Sequence, residues 1–342
     1  MHYRTLGKTG ITISEIGYGA WGIGGTKLWG GARDEESLAA LHAAIDAGIN
    51  LIDTALIYGN GHSEALVGQV LRARRERVFV ATKIPPLTTT IPTRWASVKQ
   101  AFPANHIVAC TEQSLKNLNL DCIDLQQLHI WRDKWLKDDD WIEALMKMKE
   151  AGKIRWIGVS LPNHESDSAL RLVKSGLIDS VQVIYNIFDQ SPAEALFPAC
   201  LERKIGVIVR CPFDEGGLTG TITADTSFPS GDFRDSYFAG DRKTQLVVRV
   251  NSLLNLLGNE ARTLPELALR FCLAHPAVST VLAGMRTQQH VVENCMVSDG
   301  RALHAGLLRE LKAHAWPRNF YESYAVGLLS KFERLTKKLI RC

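Results

Sequence analysis

Short runs of apolar, largely β-branched residues alternate along the chain with longer amphipathic stretches. Each run has the length of a strand, and each stretch that follows has apolar residues at the three- and four-residue spacing of a helix. The predicted strands are residues 15–21, 50–55, 78–83, 123–129, 154–160, 180–186, 206–212 and 279–284. The helices predicted to follow them are residues 35–48, 63–75, 106–119, 141–152, 166–176, 192–204, 264–275 and 287–295. The chain is thus predicted to contain eight strand–helix units.

Apolar strands that alternate with helices favour parallel pairing, because each helix returns the chain to the same end of the sheet. Eight such units in one chain are typical of an α/β protein with a (β/α)8 TIM barrel, which is the predicted fold class. A doubly wound parallel sheet is the alternative. Predicted helix N-caps are Ser63, Ser166 and Asp34, and glycines predicted to end helices are Gly48, Gly152 and Gly176.

Three segments lie outside the repeat. Residues 3–14 read as a β-hairpin that turns at residues 8–10 and could close the floor of the barrel. Residues 244–258 form an extra helix between the seventh strand and its own helix. We expect residues 1–320 to make a single barrel domain, and residues 321–342 to be a charged C-terminal tail of unassigned role.

Composition excludes several classes of protein. The 342 residues carry a net charge of only +4, with Lys and Arg scattered, so we expect no nucleic-acid partner. The N-terminus has no apolar signal region, and no apolar run is long enough to span a membrane. The seven cysteines form no CxxC pair, which argues against a zinc site or disulfide framework and for a reducing compartment. We therefore expect a soluble, cytoplasmic protein.

Polar residues at the ends of the predicted strands identify the candidate site. In a (β/α)8 barrel these ends meet at one mouth, where active sites are built. Asp53 ends the second strand, Lys83 the third and His129 the fourth, and Tyr58 follows Asp53 by five residues. Asp53 and Lys83 alone could be a structural ion pair. The four residues together favour catalysis.

These side chains suit the reduction of a carbonyl group. A tyrosine hydroxyl is a weak acid with a pKa near 10, and an adjacent ammonium is expected to lower that pKa. Asp53 would hold Lys83 charged and in place, and His129 could orient the carbonyl oxygen. Hydride would arrive at carbon while Tyr58 protonates oxygen. Nothing in this set predicts a metal site or a Ser-His-Asp nucleophile.

The chain is identified by several motifs, in order, as a member of the aldo-keto reductase family. They are LIDTALIYGNGHSEALVG, ATKI, LQQLHIW, GVS, VQVIYN, CPFDEGGLTG and AGMRTQQHVVEN, and the likeness extends over about residues 3 to 320. The resemblance implies an NADPH-dependent oxidoreductase on a (β/α)8 barrel. It also implies a catalytic tetrad of Asp53, Tyr58, Lys83 and His129, the four residues that the chemistry selects.

The resemblance further implies where the nicotinamide cofactor binds. Ser160 and Gln182 would meet its carboxamide, and the side chain at Arg210 would stack on the nicotinamide ring. Backbone amides of residues 211–220 would cradle the pyrophosphate. The implied cofactor-binding residues are Ser160, Gln182, Arg210, Pro212, Gly217, Leu218, Gly284, Arg286, His290, Glu293 and Asn294.

Arg286 would hold the 2′-phosphate of NADPH, at the N-terminus of the helix after the eighth strand, and Glu293 and Asn294 would receive the adenine. Three positions depart from the family. An asparagine is expected close behind Ser160, where the sequence reads Leu161-Pro162-Asn163. Arg210 replaces a residue that is commonly aromatic, and His290 replaces one that is often Gln or Arg.

The expected function is NADPH-dependent reduction of an aldehyde or ketone, with Tyr58 as general acid. The partner is a small carbonyl compound whose identity is open, and Trp21 and Trp131 are predicted to line its pocket. The alternative is an NADP(H)-binding barrel that acts as a redox sensor or regulatory subunit. A non-redox lyase or isomerase ranks third. Nothing in the sequence indicates an oligomeric state.

Overall fold

A computed structural model of the chain describes residues 1–25, 31–87 and 95–316. The predicted barrel is confirmed: eight parallel strands close on themselves, each beside its neighbour in the sequence, with the last beside the first. A two-stranded antiparallel hairpin lies outside the barrel and consists of β1 (Tyr3–Thr5) and β2 (Thr12–Ser14). The barrel strands are β3 (Ile16–Gly19), β4 (Leu51–Asp53), β5 (Phe79–Ile84), β6 (Ile123–Leu128), β7 (Ile154–Ser160), β8 (Ser180–Ile184), β9 (Gly206–Arg210) and β10 (Val278–Gly284).

Helices cover the outside of the barrel in the predicted order. They are α1 (Asp34–Asp46), α2 (His62–Arg72), α3 (Val98–Ala101), α4 (Ala104–Leu118), α5 (Asp140–Glu150), α6 (Leu170–Ser175), α7 (Leu196–Arg203), α8 (Phe233–Tyr237), α9 (Arg242–Leu254), α10 (Leu264–Leu273), α11 (Gln288–Cys295) and α12 (Ala305–Lys312). The predicted extra helix is α9, and α8 adds a short helix in the loop before it. No helix among these combines the length and apolarity that a membrane span needs. The predicted tail, residues 321–342, lies outside the described residues.

The hairpin closes the barrel floor as predicted. Leu6 and Ile13 are fully buried and pack with Leu51 and Ile208, which point into the barrel at its lower end. The close approach requires a glycine at position 7, where φ is +51° and a Cβ would lie 2.3 Å from the backbone nitrogen of Gly206. The floor is therefore apolar and sealed, and polar groups inside the barrel lie toward the other end.

A polar layer lies between this floor and the mouth. Lys83 is paired in register with Gln127, and Ser160 with Gln182, on neighbouring strands. Gly158 is paired with Gln127, and a Cβ at Gly158 would lie 3.1 Å from the Gln127 side chain. The absence of a side chain at Gly158 thus gives Gln127 room inside the barrel.

The glycines predicted to end helices are confirmed, whereas the predicted N-cap residues are not. Gly48, Gly152 and Gly176 adopt positive φ angles of 90°, 72° and 74°, as glycines that terminate helices do. The three N-cap predictions are wrong. Arg33 and Gly61 precede α1 and α2, and the 3₁₀ turn that leads into α6 begins after Glu165. Ser63 is instead a buried hydrogen-bonding residue, because its hydroxyl donates to the carbonyl oxygen of Ala20 at 2.8 Å.

Candidate active site

The mouth of the barrel brings the predicted polar residues together. Asp53 and Lys83 lie on β4 and β5, and His129 directly follows β6. Ser160, Gln182 and Arg210 lie on the next three strands, β7, β8 and β9. Parallel strands deliver all of these side chains to one end of the barrel.

Asp53 and Lys83 form a buried ion pair. The Lys83 ammonium donates a short hydrogen bond to Oδ1 of Asp53 and a second one, 2.7 Å long, to the carbonyl oxygen of Thr54. Lys83 is fully buried and Asp53 is 3 % exposed. Burial of two charges is stabilising only where each finds close partners, and here both do. The prediction that these two residues pair is confirmed.

Tyr58 reaches the pair from the loop between β4 and α2. Its hydroxyl lies 3.4 Å from the Lys83 nitrogen, which also sits 5.0 Å from the centre of the Tyr58 ring. The loop can make this turn because residue 59 is glycine, with φ +62° and a position for Cβ only 1.9 Å from the Gly24 carbonyl oxygen. The ring of His129 meets that of Tyr58 edge-on, with 5.7 Å between ring centres. The structure thus places all four predicted side chains at one point.

The protonation states follow from burial and charge. Burial raises the pKa of Tyr58, and the nearby Lys83 charge opposes this rise without cancelling it. Lys83 thus acts on the tyrosine pKa in the predicted direction, but burial has the larger effect. Burial disfavours the Lys83 ammonium, but Asp53 and Tyr58 outweigh it and raise the lysine pKa. The resting site holds a neutral phenol beside an ammonium.

His129 is neutral in the resting site. Burial is the main cause that lowers its pKa well below the ordinary value near 6.5, and the charges of Lys83 and Arg210 lower it further. A neutral imidazole at the mouth can donate or accept one hydrogen bond to a substrate without adding a charge.

The second carboxylate oxygen of Asp53 is held by two amides. Gln182 donates to Oδ2 at 2.8 Å and Gln127 at 3.1 Å, and both side chains are buried. The sequence analysis missed Gln127. Its position two residues before His129 is a signal, because alternate residues of a strand face the same side.

The two tryptophans predicted to line the substrate pocket differ in their exposure and packing. Trp21 is partly exposed at the mouth, with its ring centre 6.4 Å from that of Tyr58 and 6.2 Å from that of Phe233. Trp131 is fully buried and packs on Trp135 and Trp141. The prediction that Trp131 lines the substrate pocket is wrong, because its ring belongs to the hydrophobic core. Phe233, which lies on α8, was missed, and its ring packs edge-on against that of Trp21.

The candidate cofactor residues lie on the neighbouring side of the mouth. Pro212, Gly217 and Leu218 belong to the loop after β9, where the backbone of residues 214–216 turns through three consecutive positive φ angles. Gly284 ends β10, and the amide of Asn294 on α11 donates to its carbonyl oxygen at 3.4 Å. The remaining three candidate cofactor residues are near α11: Arg286 precedes the helix, and His290 and Glu293 lie on it.

Arg286 is partly buried, and its guanidinium donates to the carbonyl oxygen of Gly31 at 3.0 Å. Thr287 caps α11 by accepting from the backbone amide of His290. Glu293 accepts a hydrogen bond from Gln289 at 2.8 Å. A guanidinium beside a capped helix N-terminus suits an anionic ligand group.

Comparison with known proteins agrees with this geometry. The sequence pattern of the Aldo/keto reductase family matches residues 15–314. The chain is 35% identical over 293 residues to the aldo-keto reductase YhdN of Bacillus subtilis, covering 84% of this chain and 85% of YhdN. It is 31% identical over 299 residues to the NADH-specific methylglyoxal reductase of Escherichia coli, covering 84% and 91%.

A solved structure is also similar. It is an aldo/keto reductase from Klebsiella pneumoniae in complex with NADP and acetate, with a TM-score of 0.67 and 26% identity. The match covers 93% of this chain and 98% of that one.

The neutral state of His129 predicts a pH dependence of stability. Since its pKa is lower in the folded than in the unfolded protein, the unfolded chain takes up the extra proton as the pH falls below about 6.5. The free energy of unfolding should therefore fall below that pH, by up to about 1.4 kcal/mol per pH unit for this one residue. We expect His129→Gln to remove that part of the slope. Urea unfolding at pH 7.5, 6.5 and 5.5 measures it, and equal slopes in the two proteins would contradict the assignment.

Proposed function

The chain belongs to the aldo/keto reductase family and is an NAD(P)H-dependent oxidoreductase, and we propose that it reduces an aldehyde or ketone with hydride from NADPH and a proton from Tyr58. The observation that carries the proposal is the contact chain Asp53–Lys83–Tyr58, with His129 against the tyrosine ring. It combines a proton donor, a charge to stabilise the resulting phenolate and a neutral hydrogen-bonding group at one point of the mouth.

The proton transfer can be followed from these contacts. The substrate oxygen would lie between the Tyr58 hydroxyl and the imidazole of His129. Negative charge grows on that oxygen as hydride reaches the carbon, and Tyr58 then gives up its proton. The phenolate left behind is stabilised by the Lys83 ammonium, whose nitrogen lies 3.4 Å from the hydroxyl in the resting state. Asp53 acts through Lys83, since it holds the ammonium charged and in place.

The bound nicotinamide cofactor supplies the hydride, and the chemistry of the neighbouring groups fits it. The hydroxyl of Ser160 and the amide of Gln182 are suited to a carboxamide. Because the Gln182 amide nitrogen donates to Asp53, its oxygen is the atom that would accept from the carboxamide NH₂. The loop with Pro212, Gly217 and Leu218 would hold the pyrophosphate, and Gly284, His290, Glu293 and Asn294 would surround the adenosine end.

In this proposal, the positive charge of Arg286 favours the binding of NADPH over that of NADH. Relatives differ in this respect, since one is named as NADH-specific and another was solved with NADP. Arg286 directly precedes Thr287, the N-cap residue of α11. Such a position beside the N-terminus of α11 favours the doubly charged 2′-phosphate.

The substrate class remains broad. Trp21 and Phe233 give one wall of the mouth an apolar surface, which suits the carbon skeleton of a small aldehyde, ketone or dicarbonyl. We propose a small carbonyl compound as the partner of this site.

Loss of the Tyr58 hydroxyl should abolish reduction while cofactor binding persists. We expect Tyr58→Phe to lower kcat by about 10²- to 10⁴-fold, the usual contribution of a positioned general acid. NADPH consumption, followed by its absorbance, is measured with aromatic aldehydes, aliphatic aldehydes and α-dicarbonyls. The matched control is Tyr3→Phe, a tyrosine of the exposed hairpin.

Equal turnover of the Tyr58 variant and the wild type would overturn the role of Tyr58. NADPH binding without turnover of any carbonyl would favour the alternative of a redox sensor. Absence of NADPH and NADH binding would overturn the proposal as a whole.

Removal of the Arg286 charge should weaken NADPH binding selectively. We expect Arg286→Gln to raise the Kd of NADPH by about tenfold or more, in line with a lost charge-assisted contact, and to leave that of NADH within about twofold. Titration of the quenching of tryptophan fluorescence measures both constants. A parallel loss of affinity for NADPH and NADH would assign Arg286 to another part of the cofactor.

A further inference from the structure

Arg210 places a second cation at the mouth beside the catalytic group. It is the last residue of β9, and its guanidinium is held in a fixed orientation by two acceptors. One nitrogen donates to the carbonyl oxygen of Leu161 at 3.0 Å and to Oδ1 of Asn163 at 2.9 Å. The other faces the sulfur of Cys211 at 3.5 Å. The side chain is partly exposed toward the mouth.

Arg210 forms no direct ion pair with a carboxylate of the described residues. Its hydrogen bonds within the described part of the chain go to neutral groups, and no acidic side chain there forms an ion pair with it. In the same loop, Glu215 accepts from the Cys211 thiol at 3.1 Å. Burial raises the pKa of Glu215 and of Cys211, and the charge of Arg210 acts on both in the opposite direction. The groups that Arg210 contacts directly are therefore neutral, and Glu215 lies one residue contact further away.

The four residues of the candidate tetrad together carry no net charge. Lys83 is matched by Asp53, and Tyr58 and His129 are neutral. The charge of Arg210 acts on both Tyr58 and His129, which shows that it reaches across the mouth. Arg210 thus adds a positive charge without a direct ion-pair partner among the described residues, beside four side chains that together carry no net charge.

The hydride donor must lie within this field. A carbonyl oxygen hydrogen-bonded to Tyr58 fixes its carbon within a few ångströms, and the reacting carbon of the ring must approach to about 3–3.5 Å. In the reaction the ring loses a hydride and changes from neutral to a cation, the substrate carbon gains that hydride, and the oxygen gains the Tyr58 proton. Only the oxidised ring is therefore repelled by Arg210.

We propose that Arg210 makes the protein discriminate between the two oxidation states of its cofactor, by weakening the binding of the oxidised form relative to the reduced form. This inference rests on the proposed function. Its consequence is that the protein takes the reduced cofactor from a mixed pool and releases the oxidised one readily after turnover. Arg210 is thus a specificity-determining residue for the direction of carbonyl reduction.

The ratio of two dissociation constants tests the proposal. Kd for NADP⁺ and for NADPH is measured by isothermal titration calorimetry on the wild type, Arg210→Met, Arg210→Gln and Arg210→Lys. In both uncharged variants the ratio Kd(NADP⁺)/Kd(NADPH) should fall by about tenfold, the size expected of one partly screened charge at contact distance. The glutamine keeps a donor for Leu161 and Asn163, so it separates loss of charge from loss of hydrogen bonds.

Two controls make the outcome specific. Arg210→Lys retains the charge and should keep the ratio within about threefold of wild type. Asn163→Ala removes one hydrogen-bond acceptor of the guanidinium but keeps the charge of Arg210, so it should keep the ratio within the same limit. An unchanged ratio in the uncharged variants, or a fall in the lysine variant equal to theirs, overturns the inference and leaves the proposed function intact. Failure of the wild type to bind either form of the cofactor overturns the proposed function itself.

Discussion

The buried ion pair between Lys83 and Asp53 is the interaction on which the rest of the mouth depends. Two charges withdrawn from water cost several kcal/mol each unless close partners replace their hydration. The carbonyl of Thr54 and the amides of Gln127 and Gln182 supply those partners. The barrel provides the room, since Gly158 leaves space for Gln127, and the apolar floor keeps water out from below. The ion pair is therefore a fixed part of the site, and a bound substrate can be positioned relative to it.

This arrangement distributes protons in a way that suits reduction. The phenol of Tyr58 keeps its proton in the resting state because burial outweighs the field of Lys83, and the imidazole of His129 stays neutral. In the proposed mechanism, the ammonium that leaves the phenol neutral at rest would stabilise the charge that develops on it. Arg210 adds a charge that no direct ion pair among the described residues neutralises. The proposals for Tyr58 and Arg210 both follow from where charge appears during turnover and not from the resting charges alone.

Much of the fold and of the candidate site could be predicted from the sequence, because the signals that mark the strands and their last polar residues are local. The strands are short apolar runs, and a parallel barrel brings their last polar residues to one mouth, so Asp53, Lys83 and His129 could be selected by position. The pairing of Gln127 with Asp53 could not, because it depends on which residues of neighbouring strands stand side by side. Trp131 was misassigned because a position near a strand end does not determine whether a side chain turns toward the mouth or the core. Ser63 was misassigned because its hydroxyl donates to the carbonyl oxygen of Ala20 in the tertiary structure, and Gly61 occupies the N-cap position of α2.

The central claim is that the ion pair acts on the reaction through Tyr58. A cycle of three variants tests it: Asp53→Asn with Lys83→Met, which removes both charges together; Tyr58→Phe; and the combination of all three changes. Each protein is first shown to be folded by its unfolding transition, and kcat/KM is then measured with the best carbonyl substrate. If the pair works through the phenol, the combined variant will be no slower than Tyr58→Phe alone. Losses that multiply in the combined variant would contradict the account, because they would show that the pair and the tyrosine contribute independently.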